Sequence, residues 1–343
     1  MRKGMVFALV LALAFMAGGC RNEVRTVPEP PPQAPGETET ATEGEPTVVA
    51  PLTGQVVTVP ASHRAVMAMV NNAPKARPQS GLDKADIVYE VLAEGDITRF
   101  AAIYHSQAPD VIGPVRSIRP YYIELGAGFD AVMVHAGGSP DALAQLREGG
   151  YAHLDEIHNP RYFWRDASRK APHNLYTDLT RIRRAMADKG YPDVGKLPRL
   201  PFVDDPRQDP VGVPARKVEI RYMATYRCGY EYDAARQVYK RFTQGKPHRD
   251  RTTGEQLAAV NVIVLEAKHR VLDAAGRREI DLAGPGRAYV FQRGVMQAAT
   301  WKRVDGVLRV YGEDGAEIPL YPGNTWVNIV PDAPGLTASV RYE

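Results

Sequence analysis

The stretch FDAVMVHAGGSPDALAQL, residues 129–146, decides how the first half of the chain folds. FDAVMVHA is an apolar run of strand length, and it predicts a buried strand. Gly137 and Gly138 break it. Ser139 then serves as N-cap, Pro140 sits in the first helical turn, and Gly149-Gly150 stops the helix. A strand that feeds a helix through a glycine turn belongs to a mixed α/β layer.

The neighbouring sequence fits that unit. AVMAMVNN (65–72) predicts a second buried strand and a turn. DIVYEVLAEG (86–95) and TRFAAIYHSQ (98–107) predict two more, with Gly95-Asp96 as the turn between them. GPVRSIRPYYIELGAGF (113–129) predicts a loop and a short helix begun by Pro120. TDLTRIRRAMADKG (177–190) predicts a helix capped by Thr177 or Asp178 and ended by Gly190. Together these predict a mixed α/β domain with a central sheet over 61–195. A proline-rich hinge follows at 196–215. From 216 to 343 apolar and polar residues alternate between turn signals such as Asp305-Gly306, Asp314-Gly315 and Pro322-Gly323-Asn324. That pattern predicts a smaller, mainly antiparallel β domain.

The N-terminus sets the compartment. Arg2 and Lys3 precede the apolar run MVFALVLALAFMAGG, which ends in small residues directly before Cys20. This arrangement resembles a bacterial lipoprotein signal over 1–19, and the resemblance implies lipid on Cys20. The chain is then expected on the outer face of the cell membrane, held to the bilayer through Cys20. Residues 20–60 read as a disordered acidic linker, with six glutamates against two arginines between 21 and 60. Cys228 is the remaining cysteine, so no internal disulfide is expected, and its place in a strand reads as structural. A formal net charge of +3 on 343 residues argues against nucleic acid as a partner.

Four stretches carry candidate residues, and in the last of them, NNAPKARPQSGL (71–82), where Asn71 and Asn72 precede Lys75 and Arg77, a turn-forming asparagine pair is the default reading. In HAGGSP, a glycine turn at a helix start offers backbone N–H groups to an anion, and His135 ends the strand. Gly137, Gly138 and Ser139 complete that candidate. The competing reading is a capped turn. In PVRSIRP, Arg116 and Arg119 would lie on similar sides of a helical turn and could grip an oxyanion. Glu90, Glu94 and Asp96 compete for them. In YFWRDASRKAPHNLYTD (162–178), aromatics and charges crowd a loop in which His173 and Asn174 precede a helix. That composition suits a sugar-like ligand, or equally an ion-pair network with aromatic lids. No metal set stands out: His248 and Asp250 alone are too few ligands. No cofactor motif is evident.

Taken in order, MVNNAPKARPQSGLDKADIVYEVLAEGDITRFAAIY, GPVRSIRP, AVMVHAGGSPDAL and APHNLYTD, followed by TGEQLAAVNVIVLEA, ATWKR and PGNTWVNIVP, resemble the YerB-like lipoproteins that carry the DUF3048 domain. The resemblance implies a two-part lipoprotein outside the membrane and carries no reaction with it. It also implies a shared pocket built from Arg116, Arg119, His135, Ser139, His173 and Asn174. The expected function is that of an accessory lipoprotein with an anion- or glycan-binding cleft, whose ligand is a wall polymer or glycan and whose β domain docks an envelope protein. A wall-polymer enzyme using His135 or His173 and a non-catalytic scaffold are the alternatives.

Overall fold

The computed structural model describes residues 48–58 and 61–343. The signal segment, Cys20 and most of the linker lie outside the described residues. Pro46–Glu343 forms one compact unit. Residues 48–58, which the sequence placed in the linker, belong to it. Leu52 is buried, and Thr53 O accepts from Gly323 N at 2.7 Å.

The core is an eleven-stranded mixed sheet. Its first-half strands are β1 (Val66–Asn71), β2 (Ile87–Glu94), β3 (Ile97–Tyr104), β4 (Val132–His135) and β5 (His153–Asp155). They lie side by side in the order β2-β3-β1-β4-β5. β1, β4 and β5 run parallel, while β3 is antiparallel to both of its neighbours. The sheet then continues into the second half. Thr325–Pro331 pairs in parallel with β2 on one side and with Asn261–Ala267 on the other. Gly286–Gln292, Val295–Val304 and Val307–Tyr311 extend it by antiparallel hairpins.

Both faces of this sheet are covered, which is why β1 is unbroken apolar sequence. Val66, Ala68 and Val70 enter one core, and Met67 and Met69 enter the other. On the second face lie two short helices, α1 (Pro120–Ala127) and α2 (Pro140–Glu148). They bury Tyr121, Tyr122, Leu125, Ala142 and Leu146 there. The first face is covered by α3 (Leu179–Asp188) through Ile182 and Met186, and by a separate six-stranded antiparallel sheet. That sheet contains Lys217–Met223, Tyr226–Asp233 and Val238–Thr243, and it contributes Val218, Ile220, Tyr222, Cys228 and Tyr230 to the core. The helix limits agree with the caps read from sequence. Ser139 Oγ accepts from Ala142 N, and Asp178 Oδ1 accepts from Arg181 N.

Two expectations need correction. The protein is mostly β with few helices, and much of one face is covered by a sheet instead of the helical layer an α/β arrangement requires. The strands after residue 216 are also not one β sheet. Some extend the central sheet and others make the covering sheet, so the central sheet takes strands from both sides of 196–215. Pairing between strands more than 200 residues apart leaves no local sequence signal.

Candidate functional site

The site grows from the carboxyl ends of β1 and β4, the usual place for a crevice beside parallel strands. Four sequence stretches are laced together there by backbone hydrogen bonds. Arg116 N donates to Met69 O, and Asn71 N to Pro114 O. Ile118 N donates to Gly137 O, Ser139 N to Ile118 O, and Val115 N to Leu175 O. The chain over 114–119 is therefore an extended connector wedged between the ends of β1 and β4.

That conformation separates the two arginines, because residues three apart in extended chain leave opposite sides. Arg119 is buried, ion-pairs with Glu94 and donates to Ile118 O at 2.7 Å. Glu94 also accepts from Arg99 at 3.1 Å. Of the three competing acids, Glu94 thus holds Arg119, Asp96 bonds Thr225 Oγ1, and Glu90 is taken by Arg241. Arg116 is half-buried and has no carboxylate within 4.0 Å among the described residues. Burial and the nearby Arg99 charge lower its pKa.

His173 stands in the same field. Asn71 Oδ1 accepts from Ala73 N at 2.9 Å, which turns Asn71 Nδ2 toward His173 Nδ1 at 3.0 Å. The imidazole then accepts at Nδ1 and carries its proton on Nε2. Burial lowers its pKa, and so do Arg116, Lys75 and Arg169, in that order. Lys75, in the turn Pro74–Ala76 after β1, is exposed and has no carboxylate partner among the described residues. Arg169 donates to Ala76 O and Pro78 O, both at 2.7 Å, and so fixes that turn. Arg116 and Lys75 are thus close enough to the His173 imidazole for their charges to act on it, and all three are hydrogen-bond donors.

The remaining predicted residues hold the scaffold. His135 is fully buried, with Nδ1 on Gly137 O at 3.0 Å and Nε2 facing His153 Nδ1 at 3.1 Å. Gly137 N donates to Asp155 Oδ1 at 2.8 Å, so that N–H is occupied. Gly138 bridges Ile118, and Ser139 caps α2. Asn174 spends its amide on Asp166 O and Arg169 O and accepts from Arg165. Gly137 has φ +64°, and a methyl there would sit 3.0 Å from Ile157 Cδ1. Gly137→Ala should cost about 1 kcal/mol in denaturant unfolding.

Both halves of the chain match family models: residues 52–192 the N-terminal domain, and residues 218–327 the C-terminal domain, of a family described as "Protein of unknown function (DUF3048)". This chain belongs to the DUF3048 family. A relative named "Putative lipoprotein YerB", from Bacillus subtilis (strain 168), is 43% identical over 294 residues, covering 82% of this chain and 86% of that protein. The crystal structure of YerB protein from Bacillus subtilis superposes with a TM-score of 0.80 at 39% identity, over 86% of this chain and 99% of that one. The relative's name agrees with the lipoprotein reading of the N-terminus. No helix among the described residues is long and apolar enough to cross a membrane.

Sequence reading left Asn71 and Lys75 as the default turn of NNAPK, and the structure brings both into the surroundings of His173. It missed a buried network. Glu90, fully buried, accepts from Asn72 Nδ2 (3.1 Å), Thr98 Oγ1 (2.7 Å), Tyr226 OH (2.7 Å) and Arg241 Nη2 (2.6 Å). Arg241 is also fully buried, stacked 4.3 Å from the Trp326 ring. The readable signal was a glutamate in the middle of the apolar run DIVYEVLA. The loop at 162–178 is in large part an ion-pair network. Arg181 covers Trp164, Asp166 pairs with Arg251, and Arg165 pairs with Glu156. His248 hydrogen-bonds Thr243 and Gln79, and Asp250 accepts from Gly81 N and Thr252 N.

Proposed function

We propose that this protein is a lipid-anchored binding protein on the outer face of the cell membrane, and that it holds an anionic wall polymer or glycan at Arg116, Lys75 and His173. The observation that carries this reading is Arg116. A half-buried guanidinium among other cations, without a countercharge, is unfavourable until an anion joins it. Arg116 supplies a two-pronged donor, Lys75 a mobile charge at the rim, and His173 a directed N–H. Sugar or phosphate oxygens suit this donor set, and no carboxylate of the protein competes for it among the described residues.

Thermal unfolding of the full chain in detergent, with phosphate-bearing and carboxylate-bearing wall polymers, tests the proposal. At a ligand concentration a hundred times Kd, binding should stabilise the native chain by about 2.7 kcal/mol. The Arg116→Ala/Lys75→Ala chain should show no shift. An equal shift in both chains would refute the site. Because a bound anion favours the imidazolium, affinity should also rise as pH falls below the usual histidine range, and His173→Ala should abolish that rise.

A further inference from the structure

A cleft of about 1120 Å³, whose lining includes none of Arg116, Lys75 and His173, lies between the starts of α1 and α2 on one wall and residues 268–283 on the other. Lys268 in its lining is exposed and unpaired among the described residues, and three further cations there are already matched: Arg119 with Glu94, Arg270 with Glu279, and Arg277 with Asp273. Arg278 is not. It is only 8% exposed, and no carboxylate lies within 4.0 Å of it among the described residues. Its Nη2 donates to Gly95 O at 2.8 Å, its Nε has no acceptor, and its Nη1 makes no hydrogen bond to the protein. A guanidinium so deeply buried without a countercharge lacks what normally offsets its desolvation. The same lining holds Asp141 and Asp281, both exposed and neither within ion-pair distance of a cation among the described residues. Tyr121 and Leu272 add apolar wall.

We propose that this cleft binds a short zwitterionic peptide, with its carboxylate on Arg278 and its ammonium group at Asp141 or Asp281. The mixed lining selects that class. A polyanion of the kind suited to Arg116 would be repelled by both aspartates, whereas a ligand with opposite charges at its two ends finds a partner at each. The cleft is at the upper end of the range for drug-sized ligands, room enough for a few residues of extended chain. Its walls come from both DUF3048 domains, so the bound peptide would touch each.

The test is calorimetric titration of the full chain in detergent with tetra-alanine, its C-terminal amide, its N-acetyl form, and inorganic phosphate. Tetra-alanine should bind, and amidation should weaken it at least about tenfold, the effect of losing one hydrogen bond to a charged partner. N-acetylation should weaken it as well. The Arg278→Gln chain should bind free and amidated peptide alike, and the Asp141→Asn/Asp281→Asn chain should bind free and acetylated peptide alike. If Arg278→Gln does not fold, the exposed aspartate pair and the peptide series on the native chain still decide. Arg116→Ala/Lys75→Ala should leave peptide binding intact, which separates this site from the anion site. Equal binding of free and amidated peptide, no peptide binding, or binding of phosphate alone would each overturn the proposal.

Discussion

Glu90→Gln should destabilise the fold by about 3–5 kcal/mol, a large share of the stability of an ordinary domain. Glutamine keeps an oxygen for Asn72, Thr98 and Tyr226, so the loss isolates the charge. Arg241 is left fully buried, between Trp326 and Tyr230, with no anion. The neutral partners of Arg241 do not depend on it. Tyr230 OH also lies 3.3 Å from Asn328 Nδ2, and His248 Nδ1 lies 2.9 Å from Thr243 Oγ1. Glu90→Gln/Arg241→Met should therefore recover most of the loss, because both charges then leave the interior together. Denaturant unfolding of the two single variants and the double variant measures the coupling. If the double variant is as unstable as the sum of its parts, the pair is not what holds these elements together. Glu90 belongs to β2 in the central sheet, and Arg241 belongs to the covering sheet. A charge pair that is stable only when matched also fixes how the two sheets register.

Those residues show what sequence reveals and what it hides. β1 to β4 and the helices α1, α2 and α3 were legible because each carries its own period and caps: unbroken apolar runs, Ser139 and Asp178 as N-caps, Gly95-Asp96 as a turn. The pairing of Thr325–Pro331 with β2 was not legible, since nothing in either strand names its partner. HAGGSP was found as a strand-to-helix turn, but the fate of its N–H groups was hidden. Asp155 takes Gly137 N and Ile118 O takes Ser139 N, and both partners come from other stretches. Arg116 and Arg119 were found as a pair and misjudged as neighbours on a helical turn. Bridges from Val115 to Val70 and from Ile118 to Gly138 hold that segment extended. Of the predicted residues, Arg116 and His173 are the two that carry the proposed site. Asn71 and Lys75 join them because β1 ends beside the connector.

The turn that backs this connector should also make the fold sensitive to acid. His135 has Nδ1 on the Gly137 carbonyl, so that nitrogen carries the proton, and Nε2 accepts from His153. Burial brings the His135 pKa down to about 4, although Asp155 draws it up, and burial also lowers that of His153. In the unfolded chain both titrate near the usual histidine value of about 6.5. Between those limits the unfolded state binds more protons, so stability is full above about pH 6.5 and falls as pH drops toward 4. A shift of that size at His135 corresponds to a loss on the order of 3 kcal/mol. His269, mostly buried and likewise held near 4, adds to the fall in the same direction. Urea unfolding at several pH values from 7 to 4 measures the slope, and His135→Asn should flatten it. An unchanged slope in that variant would place the titration elsewhere. The consequence for the site is an opposition. Acid should strengthen anion binding at the proposed site through His173, but it should loosen the Gly137 turn to which Ile118, two residues from Arg116, is bonded. Affinity should thus rise as pH first falls below 6.5 and then decline as the His135 turn gives way, and His135→Asn should remove only the decline.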